Sequence, residues 1–325
     1  MVFPKEVDSF SGVRSLGKIF LYALFALVAG ALAAPLVWHL IQFLPAGGLH
    51  GYIGEIQRMP FHRYLSRSIQ VVAILILWPL LRSLKIRSLE EIGLYRNPHP
   101  FRDIGVGLSA GIPSVVMLLA ALFISGAFEF HSTWSISVIP RILLTSLIVA
   151  MLEEFLFRGL MLGFFRQFLG NGFAIFCSAC LFALLHFMNL PSVGPAEEKP
   201  HWWSGLVAFY HLGSTLPPTP IMAWAFGSLF LAGCILAWMT VRTGSLWASI
   251  GLHGCWIFGQ QLFNSMTSYR HLSSEAFLPF TGPAQCHGAV PIGLDTLFSI
   301  FLAGALAVIL LRRRPRPRSF VVGDF

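Results

Sequence analysis

The chain has 325 residues, 56% of them hydrophobic and only 11% charged, with a net charge of +8 and a mean hydropathy of +0.73. A soluble domain carries about 25% charged residues, so this composition cannot build a water-facing surface and excludes a soluble globular fold. The apolar runs extend from end to end, which makes one continuous membrane bundle a simpler reading than two soluble domains.

A bilayer core about 30 Å thick needs roughly 20 apolar residues at 1.5 Å rise each. About eight such runs are present, at residues 18–44, 68–84, 104–126, 139–160, 172–190, 221–241, 245–264 and 291–311. The predicted fold class is therefore all-α, a polytopic transmembrane helical bundle of about eight spans. The second run is the shortest, and Ala110-Gly111-Ile112-Pro113 interrupts the third in a way membrane helices tolerate. Ala31-Leu32-Ala33 resembles a signal-peptidase site, but apolar character continues to Leu44, which favours an uncleaved first span.

Lys and Arg are enriched in cytoplasmic loops. With eight spans and both termini inside, the inner segments hold Lys5, Arg14, Lys18, Arg82, Lys85, Arg87, Arg96, Arg102, Arg166, Arg242 and the tail arginines 312–318. The outer segments and span ends then hold Arg58, Arg63, Arg67, Arg141, Lys199 and Arg270. Both termini are expected in the cytoplasm and the positive charge is expected to meet anionic lipid headgroups, with no nucleic-acid partner implied by the basic tail. Cys177, Cys180, Cys234 and Cys255 fall within spans and Cys286 in an outer loop, so no disulfide framework follows and the lone C-x-x-C reads as packing. The outer loop near residues 191–220, with Trp202, Trp203 and Tyr210, is expected to lie at the membrane interface as an aromatic anchor or partial lid. Neither internal repeats nor low-complexity segments are evident.

An ionisable residue near the bilayer centre costs at least about 2.5 kcal/mol on insertion scales, so each one is a functional-site candidate. The segment Glu153-Glu154-Phe155-Leu156-Phe157-Arg158 interrupts an apolar helix with two carboxylates and an arginine. Neighbours on a helix point about 100° apart, whereas residues four apart share a face. Glu154 and Arg158 are thus expected to pair, which leaves Glu153 to act. In the competing account all three form a buried charge cluster that locks helices together, but one arginine neutralises one carboxylate and a second, unpaired Glu adds nothing to such a lock. A desolvated Glu beside another carboxylate is expected to be shifted toward the range of a general base. Two histidines join it, His186 in the fifth run with Phe182 one turn away, and His253 in the seventh. Either alone reads as a hydrogen-bonded core histidine, and their coincidence with Glu153 argues otherwise. His39, His131, His201, His211 and His271 lie near helix ends or in loops.

These residues resemble the CPBP intramembrane proteases, a family that includes prenyl-protein CAAX endopeptidases and bacteriocin-processing or immunity proteins. Its pattern is Glu-Glu-x-x-x-Arg, then Phe-x-x-x-His, then His-x-x-x-Asn, each on a transmembrane helix. Here the counterparts are Glu153 to Arg158, Phe182 to His186, and His253 to Ile257, and Arg242-Thr243-Gly244-Ser245-Leu246-Trp247 is similar to the turn before the last motif. The resemblance covers residues 139–264, the expected catalytic core. Residues 1–138 would hold N-terminal transmembrane helices and a cytoplasmic loop. An outer loop, the last span and a basic cytoplasmic tail would follow in residues 265–325.

The resemblance implies that Glu153 and His186 activate a water against a peptide carbonyl, that Glu154 and Arg158 hold the site in shape, and that His253 stabilises the oxyanion. Ile257 departs from the pattern, since the family's Asn is an oxyanion donor and an isoleucine is not; a backbone N–H, a water or Gln260 is a possible substitute. The cofactor is left open: none, or a divalent metal such as zinc held by Glu153, His186 and His253, with the metal-free route preferred. The expected partners are membrane lipid and a peptide or protein substrate, membrane-associated or prenylated, in a plasma membrane of the bacterial inner-membrane kind. A transporter would show repeated halves, which are lacking. The stronger rival is a catalytically lapsed membrane scaffold or immunity protein with the same fold.

Overall fold

The computed structural model describes residues 9–46, 52–88, 90, 94–131, 134–186, 199–211, 219–269, 278–281 and 292–312. Arg270, His271, Cys286 and the tail beyond Arg312 lie outside the described residues, as do Lys5 and half of the loop expected near 191–220. Two compact units make up the chain, Met1–Arg87 with Met188–Leu216, and Ser88–Phe187 with Pro217–Phe325.

In the first unit α1 (Ser9–Gln42) and α3 (Phe61–Ser83) form an antiparallel pair, joined through the short α2 (Tyr52–Gln57). Gly30 makes the close approach possible, because a Cβ there would stand 2.5 Å from Ile69 Cα. Tyr22 Oη donates to Ala73 O at 2.8 Å, and Lys18 Nζ donates to Ser83 O. Pro35 and Pro79 lie inside these helices without ending them. The second run begins earlier than its hydropathy shows: residues 61–67 contain His62, Arg63 and Arg67, yet the same turns bury Tyr64 and Leu65. From the expected interfacial loop, α8 (Ser204–Tyr210) packs its Gly205 on Ala31 of α1. Trp202 and Tyr210 are 67% and 87% exposed, as aromatic residues of an interfacial belt would be.

The second unit begins with α4 (Pro100–Ile124), which has Pro100 in its first turn, where a missing N–H costs nothing. It runs unbroken through Gly111-Ile112-Pro113 and ends at Gly126, whose φ of +66° supplies the left-handed cap. A strand, β1 (Phe128–Phe130), pairs antiparallel with β2 (Thr267–Tyr269) and ties the end of α4 to the end of α10. This ribbon is the one departure from an all-α fold among the described residues. Next comes α5 (Ile139–Glu154), which passes without a break into a π-helical turn (Phe155–Met161) and α6 (Leu162–Phe168). After α7 (Asn171–His186) come α9 (Thr219–Thr243), α10 (Trp247–Met266) and α11 (Leu294–Leu311).

The floor of this unit is made where α4, α9, α10 and α11 bury Ala110, Leu236, Leu252, Ala303 and Ala307 together. Small residues let membrane helices approach closely, and the α4–α10 seam uses them: Gly107 lies against the backbone of Ala248 and Leu252, and a Cβ on Gly251 would stand 2.5 Å from Ile104 O. Trp256 Nε1 donates to Ser114 Oγ at 2.9 Å and fixes the rotation of α10. Leu143, Leu144 and Leu147 of α5 and Phe298 and Phe301 of α11 point outward, which suits lipid and not water.

Each of the eight apolar runs is a helix in the structure. Among the described residues, six helices are long and apolar enough to cross a membrane: Gly17–Gln42, Phe61–Ser83, Pro100–Ile124, Ile136–Gln167, Thr219–Thr243 and Leu294–Leu311. The described part of α7 is shorter, at 16 residues. The remaining helix, α10, carries His253, Gln260, Gln261 and Asn264.

Candidate active site

Three helical segments of the second unit bring the charged residues together. Glu153 and Glu154 end α5, Arg158 lies in the π turn, Phe182 and His186 lie on α7, and His253 lies on α10. The expected ion pair is present, with Arg158 Nη1 3.1 Å from Glu154 Oε1 and both side chains fully buried. Glu154 Oε1 also meets His253 Nδ1 at 2.8 Å, and the side chain of Ser249, whose hydroxyl donates to Leu246 O at 2.9 Å, stands near the same carboxylate. Thr240 Oγ1 in turn donates to Ser249 Oγ at 3.1 Å. Glu154 Oε1 thus ties α5 to the π turn and α10.

The guanidinium of Arg158 is held by aromatic faces. Its Cζ stands 4.2 Å from the centroid of Phe182 and 5.7 Å from that of Phe157. The quadrupole of an aromatic face attracts such a cation, and more strongly when both are desolvated. Phe182 also lies 4.3 Å from the His186 ring centroid and 5.9 Å from that of His253. One buried phenyl ring therefore touches the arginine and both histidines, more than the single-face neighbour of His186 that the sequence shows.

Glu153 stands apart from this network. Its Oε2 is 3.7 Å from His253 Nε2 and 3.9 Å from His186 Nε2, both longer than a hydrogen bond. The side chains of Glu153 and His186 are 24% and 23% exposed, against 8% for His253 and 0% for Glu154. The ring states follow from the partners. His186 Nδ1 lies 2.8 Å from Phe182 O, and a carbonyl only accepts, so Nδ1 carries the proton and the neutral ring presents its Nε2 lone pair to Glu153. By the same logic His253 Nδ1 donates to the Glu154 carboxylate and its Nε2 also faces Glu153.

Three features were not legible in the motif residues. The π turn widens the helix just after Glu154, and Ser178 of α7 donates its hydroxyl to Phe157 O at 3.2 Å, within that turn. Turns of this kind are frequent at functional sites. Ser249 lies four residues before His253, and that spacing was its only signal. The third feature is position: His186, expected well inside its span, is the last described residue of α7.

Glu153, His186 and His253 offer one carboxylate and two imidazole nitrogens, the donor types of many catalytic zinc centres. Among the described residues, no three His, Cys, Asp or Glu side chains converge closely enough to form a ligand set. The donor types suit such an ion and the spacing does not, so no chemical step is derived through one.

Residues 133–259 match the family model described as type II CAAX prenyl endopeptidase Rce1-like. No curated protein and no solved structure matches the chain. The matched stretch contains all six motif residues, from Glu153 to His253, so the helical core of this chain is similar to that family of CAAX-type prenyl endopeptidases.

Proposed function

We propose that this protein is an intramembrane endopeptidase that hydrolyses a peptide bond of a membrane-associated or prenylated protein or peptide. The observation that carries the reading is the division between the two glutamates: Glu154 is closed off by Arg158 and His253, while Glu153 faces two imidazole Nε2 atoms at 3.7 and 3.9 Å. Gaps of that length accommodate a water bridged among carboxylate and imidazoles. Glu153 takes a proton from that water, His186 Nε2 shares the proton, and the hydroxide attacks the carbonyl carbon. His253 receives the developing oxyanion, and as the intermediate collapses the C–N bond breaks and the proton held by Glu153 and His186 passes to the departing amine. Because its Nδ1–H is engaged by Glu154, its Nε2 donates only when the ring is doubly protonated. The reaction thus needs Glu153 to accept a proton and His253 Nε2 to carry one when the oxyanion forms.

The second reading, a lapsed scaffold, is favoured by one observation: Ile257, a turn beyond His253, has no donor for an oxyanion. The test compares processed peptides and the membrane proteome of cells carrying wild type or Glu153→Gln. New chain termini present only with wild type support the protease. Identical termini in both, together with a phenotype that Glu153→Gln still complements, support the scaffold. Chelators are expected to leave the cleavage unchanged; full loss restored by zinc would reassign Glu153, His186 and His253 as ligands.

A further inference from the structure

Hydrolysis consumes one water per bond cut, so a protease buried among apolar helices needs a route by which water reaches Glu153; this inference rests on the proposed function. The antiparallel seam of α5 and α10 carries polar side chains at helical spacing from the site to the far end of α10. Its first rung is Glu154 with His253. Nine residues back along α5 and eight on along α10, about 12–13 Å away, Thr145 Oγ1 donates to Gln261 Oε1 at 3.0 Å. Beyond it, Trp134 Nε1 donates to Ser265 Oγ at 3.0 Å, one residue before α10 ends.

Thr145, Gln261, Asn264 and Ser265 are all half-buried. The amide nitrogen of Gln261 makes no hydrogen bond to another described residue and is not sealed from solvent-sized contact. An interhelical hydrogen bond in a membrane contributes little on average, which is a weak reason to line a seam with this many polar groups for packing alone. It is also α10, the helix with this stripe, that falls outside the six apolar ones. On the same register Ile257 comes level with Val149, so one apolar rung separates the Thr145–Gln261 pair from the site.

We propose that the α5–α10 seam, from Ser265 past Thr145 and Gln261 to Glu153, is the path by which the hydrolytic water enters. The test places single cysteines in a chain whose Cys177, Cys180, Cys234, Cys255 and Cys286 have been replaced. A charged methanethiosulfonate reagent, supplied to both faces of opened membranes, reacts with thiolates and therefore reports contact with water. Thr145→Cys, Gln261→Cys and Ser265→Cys should react at least about tenfold faster than Leu144→Cys, which is at the same depth on the lipid-facing side, since only a hydrated thiol ionises readily. Rates at 145 and 261 no faster than at 144, or reaction at 265 alone, would overturn the proposal. Labelling needs no substrate: a dry seam removes the route and leaves the protease reading standing, whereas a wet seam without Glu153-dependent cleavage supports the route and removes the protease.

Discussion

Glu153 and Glu154 are neighbours in sequence, yet their surroundings differ in nearly every respect. Glu154 is fully buried and meets Arg158 and His253 within 3.1 Å; Glu153 is 24% exposed and has nothing closer than 3.7 Å among its two histidine partners. A buried charge must be paired or it costs several kcal/mol, so the first carboxylate can only hold structure. A half-exposed carboxylate with loosely spaced partners can change partner during a reaction. On the proposed function, the difference teaches that one helix end would supply both the frame and the reacting group, separated by the turn of about 100° between adjacent residues.

Breaking the frame should have the largest effect. Arg158→Ala leaves Glu154 buried without its cation and is expected to destabilise the protein by about 3–5 kcal/mol, read as a loss of folded protein in detergent melts. A variant as stable as wild type would show that His253 suffices to hold Glu154. On the working side, His253→Ala should lower turnover by about 10²- to 10³-fold, the range for one oxyanion donor. His186→Ala should also abolish measurable cleavage, and both proteins should remain folded. A normal rate for either would remove it from the reaction.

Ile257→Asn sharpens the comparison from the other direction, because it restores a donor on the working side without touching the frame. A protease with an impaired oxyanion site should gain turnover, by up to about 10²- to 10³-fold. A neutral or harmful result would show that another group has taken over that role. The smallest effect concerns sidedness and leaves activity untouched. With Cys286 replaced, labelling of intact cells from outside should reach a Cys at 197 and miss one at 320; reaction at 320 would break the expected orientation with both termini inside. Both positions lie outside the described residues.

Much of this division was legible before any coordinates. Charge inside an apolar helix costs free energy, so Glu153, Glu154, Arg158 and His253 stood out against their surroundings, and the four-residue spacing of Glu154 and Arg158 gave their pairing. Hydropathy also marked where each long helix lies, but it shortened α3, whose first turns mix His62, Arg63 and Arg67 with the buried Tyr64 and Leu65. What stayed hidden depends on tertiary contact. Nothing in Phe155–Met161 announces a π turn, since wide and regular turns are populated by the same residues. Phe182 could be placed one turn from His186, but its stacking on Arg158 requires knowing that α7 meets the π turn. Ser249 and Thr240 are ordinary residues until α9 and α10 bring them behind Glu154.

The most direct measurement pairs cleavage with thermal stability for Glu153→Gln and Glu154→Gln in the same membrane preparation. The account predicts that Glu153→Gln melts like wild type and loses cleavage by about 10²- to 10⁴-fold, the contribution of a positioned general base. Glu154→Gln should melt at a lower temperature, because Arg158 loses its buried counter-charge. A Glu153→Gln protein that cleaves at the wild-type rate, or that loses stability as Glu154→Gln does, would contradict the assignment of one glutamate to chemistry and the other to structure.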